Sequence, residues 1–196
     1  MADPKTSPLI LDPRTTALVL IDLQEGIVAR DTKPYPTRQI IDEAVRLGRR
    51  CNEVGAPIFP VHVTTSPGGA DRLSQPIDSQ MAVAANPPAN WADLVPDVAA
   101  LQAAKVITKR QWGAFYGTEL DLQLRRRGIT TIILAGIATN FGVESTAREA
   151  WQHNYAVVIA EDACTSLDAG MHEFSIEKIL PRIARIRSTD DILAAL

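Results

Sequence analysis

The feature that most constrains this chain is an alternation. Short runs of aliphatic and β-branched residues are separated by longer stretches whose apolar residues recur at helical spacing. TALVLIDL (residues 16–23) is apolar almost without a break, which suits a strand buried on both faces. QIIDEAVRLGRRCNEVG has the helical period and ends on Gly55, a C-cap. PIFPVHV and AKVITK read as the second and third strands, and GTELDLQLRRRG as a helix with Thr118 at its N-cap and Gly128 past its end. TTIILAG and GVESTAREAWQH repeat the strand–helix unit. YAVVIAED and IARIRS give a fifth and sixth strand, and TDDILAAL a short terminal helix. Strand–helix alternation of this kind folds into a parallel sheet with helices on both faces.

The 196 residues suit one domain with a sizeable core, and neither a linker nor an internal repeat divides them. Residues 64–90 form the single long irregular stretch, rich in Pro, Gly, Ser and Asn. Loops of that length in such a fold serve as site walls or oligomer contacts. Hydrophobic residues make up 46% and charged residues 22%, the balance of a soluble globular chain. A net charge of -3 argues against a nucleic-acid or anionic-membrane surface. The N-terminus MADPKTSPLILDPRTT lacks the apolar core of a secretory signal, and a cytoplasmic location follows by default. Cys51 and Cys164 have no metal-like spacing and suggest neither a disulfide framework nor a zinc site.

Ligands of open parallel sheets bind beyond the carboxyl ends of the strands. The polar residues expected there are Asp22 and Gln24 after the first strand, and Lys109 and Arg110 after the third. The fourth strand leads into the turn LAGIATNFGVESTA (residues 134–147). A carboxylate at a buried strand end is poorly solvated, and a lysine beside it can hold it charged or share its proton, a pairing suited to general acid–base work. The same pair could equally be a helix cap and its structural partner. The amides of Ala138, Thr139 and Gly142 precede or open a helix, where backbone donors and the helix dipole favour negative charge. Read without that function, the turn is an ordinary glycine-started one with Asn140 as N-cap.

These elements resemble the isochorismatase-like hydrolases, the cysteine hydrolase superfamily. The resemblance rests on TALVLIDLQEG, on KRQWGAFYGTELDLQLRRRGITTIILAGIATNFGVESTAREAW and on VVIAEDAC, together nearly the whole chain. It implies a three-layer α/β/α sandwich with a six-stranded, mainly parallel sheet, commonly in a homo-oligomer. It further implies an Asp–Lys–Cys site whose first two members match Asp22 and Lys109. The third falls on Gly142, so the nucleophile's position carries no side chain. A non-proline cis peptide between Ile137 and Ala138 is implied as well. The metal motif of the family's nicotinamidases is absent, since VHVTTSPGGADR supplies only His62, and no cofactor is expected. The isochorismatase branch also does without the cysteine: a carboxylic acid protonates a vinyl ether and water attacks the resulting oxocarbenium ion. That branch usually carries an aromatic residue and a histidine in the turn, where this chain has Thr139, Asn140 and Phe141.

The expected function is therefore hydrolysis of a small, carboxylated metabolite by Asp22 and Lys109. The alternative is a binding or scaffolding protein that kept the fold. Arg110, Trp112, Phe115 and Tyr116 follow Lys109 and could line an aromatic pocket with one cationic anchor, or simply pack in the core. His62, Gln24, Asn140 and Phe141 complete the candidate pocket. Trp91 could be a lid or an oligomer contact, and Glu161 and Asp162, after the fifth strand, are expected to tie down the next loop.

Overall fold

A computed structural model describes residues 8–79 and 87–196. The first seven residues and residues 80–86 of the long loop, which enter the readings of the N-terminus and of that loop, lie outside the described residues. The strands are β1 (Thr16–Ile21), β2 (Ile58–Val63), β3 (Ile107–Lys109), β4 (Thr131–Ile137), β5 (Ala156–Thr165) and β6 (Arg185–Arg187). The helices are α1 (Glu25–Val28), α2 (Thr37–Val54), α3 (Pro96–Ala99), α4 (Leu120–Arg126), α5 (Glu144–Gln152), α6 (Ala169–Phe174) and α7 (Thr189–Ala195). The six strands form one sheet in the order β3-β2-β1-β4-β5-β6, and every pairing is parallel.

Alternate residues of β1 face opposite sides. Leu18 and Leu20 pack with Ile40, Ala44 and Leu47 of α2, while Ala17, Val19 and Ile21 pack with Leu120 and Leu124 of α4 and Ala147 of α5. Both faces of the sheet are thus covered, which is why β1 reads as an unbroken apolar run. Cys51 belongs to the first of these cores and Cys164 to the second, so the sheet separates the two thiols. The order of the strands reverses between β1 and β4. In an open α/β sheet this is the crevice where ligands bind. Among the described residues no helix is long and apolar enough to cross a membrane.

Several boundaries differ from the sequence expectation. β3 and β6 hold three residues each, because these edge strands pair on one side only. β5 runs on to Thr165 with a register shift opposite Leu134 and Gly136, so Glu161 and Asp162 lie inside the strand rather than after it. Asp162 accepts from the backbone and hydroxyl of Thr189 and so holds the start of α7. Thr118 caps as expected, accepting from the Leu120 amide at 3.1 Å. The chain leaves β4 through a π-turn, Thr139–Val143, and α5 begins at Glu144 instead of near Gly142.

Gly136 pairs with Ile21 just before that turn, at φ 127°, and a Cβ there would lie 2.1 Å from the Ile21 carbonyl oxygen. Gly55 also has a positive φ, 79°, but a Cβ there would meet open space. Gly136→Ala is therefore expected to lower the unfolding free energy by more than about 4 kcal/mol, and Gly55→Ala by about 1–2 kcal/mol. Urea midpoints of the two variants check this; equal costs would mean that backbone contact at Gly136 does not set the junction.

Candidate active site

Asp22 is the first residue past β1. It takes a left-handed backbone, φ 53°, which Asp and Asn tolerate better than most residues. Its amide donates to Val61 of β2. Lys109 ends β3, two strands away in the sheet. Its side chain crosses the end of β2, and Nζ reaches Asp22 Oδ2 at 2.8 Å. The ammonium also donates to the Trp112 carbonyl at 2.6 Å. The lysine side chain is 1% exposed and the aspartate side chain 10%. Charges removed from water this far persist only with partners. Burial pushes the Asp22 carboxyl up to about 6, against the opposing pull of the Lys109 charge and hydrogen bond. The other carboxylate oxygen, Oδ1, is buried and has no hydrogen-bond partner.

The third wall is the turn after β4. The Ile137–Ala138 peptide is cis. The amides of Phe141 and Val143 are taken up by the Ala138 carbonyl within the turn. Gly142 faces the ion pair: a Cβ there would lie 3.2 Å from Asp22 Oδ2, 3.2 Å from Lys109 Nζ and 2.9 Å from Ile21 Cγ2. The structure thus brings Asp22, Lys109 and Gly142 to one point at the crevice between β1 and β4. Helix α5 holds two sides of this arrangement. Its Thr146 hydroxyl donates to the Gly142 carbonyl and accepts from the Ala114 amide, and Glu149 accepts from the Phe115 amide. The loop that supplies the Trp112 carbonyl and the turn that supplies Gly142 are therefore fastened to the same helix.

The isochorismatase domain model matches residues 16–191. The chain belongs to the isochorismatase family. The uncharacterized isochorismatase family protein YecD of Escherichia coli O157:H7 is 49% identical over 188 residues, covering 96% of this chain and all of that protein. The ureidoacrylate amidohydrolase RutB of Methylobacterium radiotolerans is 27% identical over 182 residues, covering 81% of this chain and 70% of the relative. An isochorismatase family protein from Burkholderia thailandensis superposes with a TM-score of 0.91 at 40% identity, covering 97% of this chain and 99% of that one. Hydrolysis is the activity of this family, and this chain is a hydrolase of the isochorismatase fold.

Around the central three residues, this isochorismatase family member disperses the other candidates. Gln24 is fully buried and structural in its contacts: its amide donates to the Val63 and Trp91 carbonyls and accepts from the Val63 N–H. His62 uses both ring nitrogens, on the Ala92 carbonyl at 2.7 Å and the Thr108 hydroxyl at 2.8 Å. Phe115 is core, packed with His153 and Tyr155, and Tyr116 is 78% exposed. Trp112 is half-exposed and lies against Phe141, ring centroids 4.8 Å apart, so one aromatic pair flanks the turn instead of four residues lining a pocket. Arg110 pairs with Asp71 of the long loop, whose carboxyl the pairing and the Ser66 donors hold down at about 2. Asn140 does not cap a helix; its side chain accepts from the Ser166 hydroxyl. Trp91 lies over Gly26, where a Cβ would be 2.0 Å from its ring.

One group escaped the sequence reading. His172 of α6 is 4% exposed, and its Nδ1 meets the Thr139 hydroxyl at 2.8 Å while Nε2 meets Glu161 at 3.2 Å. No periodicity marks the residue, since its partners lie 33 and 11 positions away.

Neither cysteine reaches the site. Both are fully buried, and burial pushes the Cys51 thiol up to about 12 and Cys164 higher than its ordinary value. Under native conditions iodoacetamide is expected to label no thiol, and in denaturant both. Gly142→Cys adds a thiol beside a lysine cation, which favours the thiolate, and should take up one equivalent under native conditions. Mass spectrometry reads both; an unreactive Cys at 142 would show that the position does not face the site.

Proposed function

We propose that this hydrolase cleaves a small, carboxylated metabolite by acid–base chemistry at Asp22 and Lys109, with no covalent enzyme intermediate. The observation that carries the reading is the buried Asp22–Lys109 pair with Gly142 open beside it: a raised carboxyl, a cation and a space without a side chain meet within 3.2 Å. Vinyl-ether hydrolysis is the nearest precedent. In that chemistry the Asp22 carboxylic acid gives its proton to the vinyl carbon, and a carbon–hydrogen bond forms as the double bond is consumed. Water then adds to the oxocarbenium carbon and loses a proton, returned to Asp22. The hemiketal collapses with cleavage of its carbon–oxygen bond to a ketone and an alcohol. Lys109 stabilises the Asp22 carboxylate left by the first transfer. The Thr139, Asn140 and Gly142 amides, which the turn's own Ala138 bonds do not consume, supply donors for an oxygen that gains charge. Arg110, at the end of the same strand as Lys109, is the anchor for a substrate carboxylate, and Asp71 occupies it in the free protein.

The relative named as a ureidoacrylate amidohydrolase favours an amide substrate instead. Covalent amide cleavage needs a nucleophile, and position 142 offers none, so this reading stands second. Incubation with a panel that includes isochorismate, N-carbamoyl amino acids and nicotinamide, followed by mass spectrometry, separates the two. Turnover of the vinyl ether supports the first, and turnover confined to the amides supports the second.

On a substrate that is turned over, Asp22→Asn is expected to lower kcat by at least about 10²-fold. Asn keeps the size and suits the left-handed backbone, but it delivers no proton. An Asn variant of near-native activity would remove Asp22 from the chemistry. A required proton at Asp22 also sets the sign of the pH dependence. The protonated form is lost as pH rises through about 6, so kcat should fall over that range. Lys109 pulls the carboxyl down, so Lys109→Met should move the falling limb to higher pH, whereas a purely structural lysine would leave it in place.

A further inference from the structure

The acid–base reading leaves unused a buried chain of polar groups that ends on the Gly142 turn. Four residues from four parts of the fold compose it. Thr139, fully buried in the π-turn, meets His172 Nδ1. His172 of α6 meets Glu161 of β5 through Nε2. Tyr35, between α1 and α2, donates its hydroxyl to the same Glu161 oxygen at 2.9 Å and sets its ring edge-on to the imidazole, 5.8 Å between centroids. The Tyr35 backbone is itself fixed to β5, exchanging two hydrogen bonds with the Thr165 hydroxyl.

The order carboxylate, imidazole, hydroxyl fixes the protons. The hydrogen bond from His172 holds the Glu161 carboxyl below its usual range, so Glu161 is an acceptor. Nε2 must then carry hydrogen. In the neutral imidazole that leaves Nδ1 as an acceptor, and the Thr139 hydroxyl donates to it. When the imidazole gains a proton, Nδ1 becomes a donor and the bond reverses. The Thr139 hydrogen must then leave a fully buried position in which the imidazole is its one hydrogen-bond partner among the described residues. Thr139 stands three residues before Gly142 and follows the cis peptide.

We infer that His172 is a positioning residue of the site: its neutral form sets the turn through Thr139, and its protonation resets that turn. The charged and titratable groups facing it are Glu161 from β5 and Tyr35 from the loop before α2. On its own helix, Asp168 is engaged as the N-cap of α6, accepting from the Met171 amide. From α5, Glu144 is engaged by the Ser175 hydroxyl. Glu161 is thus the carboxylate that stabilises the imidazolium and brings the switch into reach. The inference rests on the turn being part of the site. Its test reads the turn's own resonances, so a failure to find turnover leaves the test intact.

Uniformly 15N-labelled protein, followed by two-bond 1H–15N imidazole spectra across the pH range in which it stays folded, makes the test. His172 is expected as the Nε2–H tautomer on the neutral side. The backbone amide shifts of Thr139 and Gly142 should follow the His172 titration with the same midpoint, and Gly55, at the far end of α2, should not. In Thr139→Val, which keeps the shape and removes the hydroxyl, His172 should still titrate while the turn amides no longer follow it. In His172→Gln the pH dependence of those amides should vanish; should that variant not fold, the wild type and Thr139→Val decide the matter. An Nδ1–H tautomer, a His172 that never titrates in the folded protein, or turn amides that follow it equally in Thr139→Val would each overturn the proposal.

Discussion

The arrangement depends on one ion pair. Asp22 and Lys109 sit at the ends of strands separated by β2, and only a side chain as long as lysine's, laid over the end of β2, closes that gap to 2.8 Å. Both charges are removed from water, and the Trp112 carbonyl is the second partner of the ammonium. One carboxylate oxygen is left unsatisfied in the described structure. A fold that needed only a helix cap would gain more from an apolar pair of similar volume, because burying two charges costs more than their attraction commonly returns. The unpaired oxygen and the raised carboxyl are the marks of a group arranged to exchange a proton.

The surrounding structure keeps this pair in register with the turn. Helix α5 grips the loop after β3 through Thr146 and Glu149 and grips the turn through the Gly142 carbonyl. On the opposite side, Thr139 and Asn140 are fastened to His172 and Ser166. The turn is therefore held from both faces of the sheet, while the space beside Gly142 stays free of its own side chain. A Cβ at that position would already press on Ile21, so the opening is narrow and belongs to the geometry of the pair.

Much of this was legible in the sequence. The continuous runs of β1 and β4 report strands buried on both faces, and the carboxyl-end rule then puts Asp22, Lys109 and the turn at one edge. What the residues alone did not give were contacts made by tertiary structure. Gln24 and His62 have polar side chains in the right place, but neighbouring backbone and hydroxyl groups consume them. Phe115 and Tyr116 are adjacent, yet one turns to the core and the other to solvent. His172 lies in a short helix with no apolar period, and its role exists only because β5 and the turn converge on it.

The most direct measurement is the titration of Asp22 itself. Carbon-13 spectra of protein labelled at the aspartate carboxyl carbons, with the Asp22 signal assigned by its loss in Asp22→Asn, follow that group without need of a substrate. A buried acid opposed but not cancelled by Lys109 titrates with a midpoint near about 6. A midpoint at or below the ordinary aspartate value of 3.8 would mean that the ion pair holds Asp22 charged throughout, and would contradict its role as proton donor.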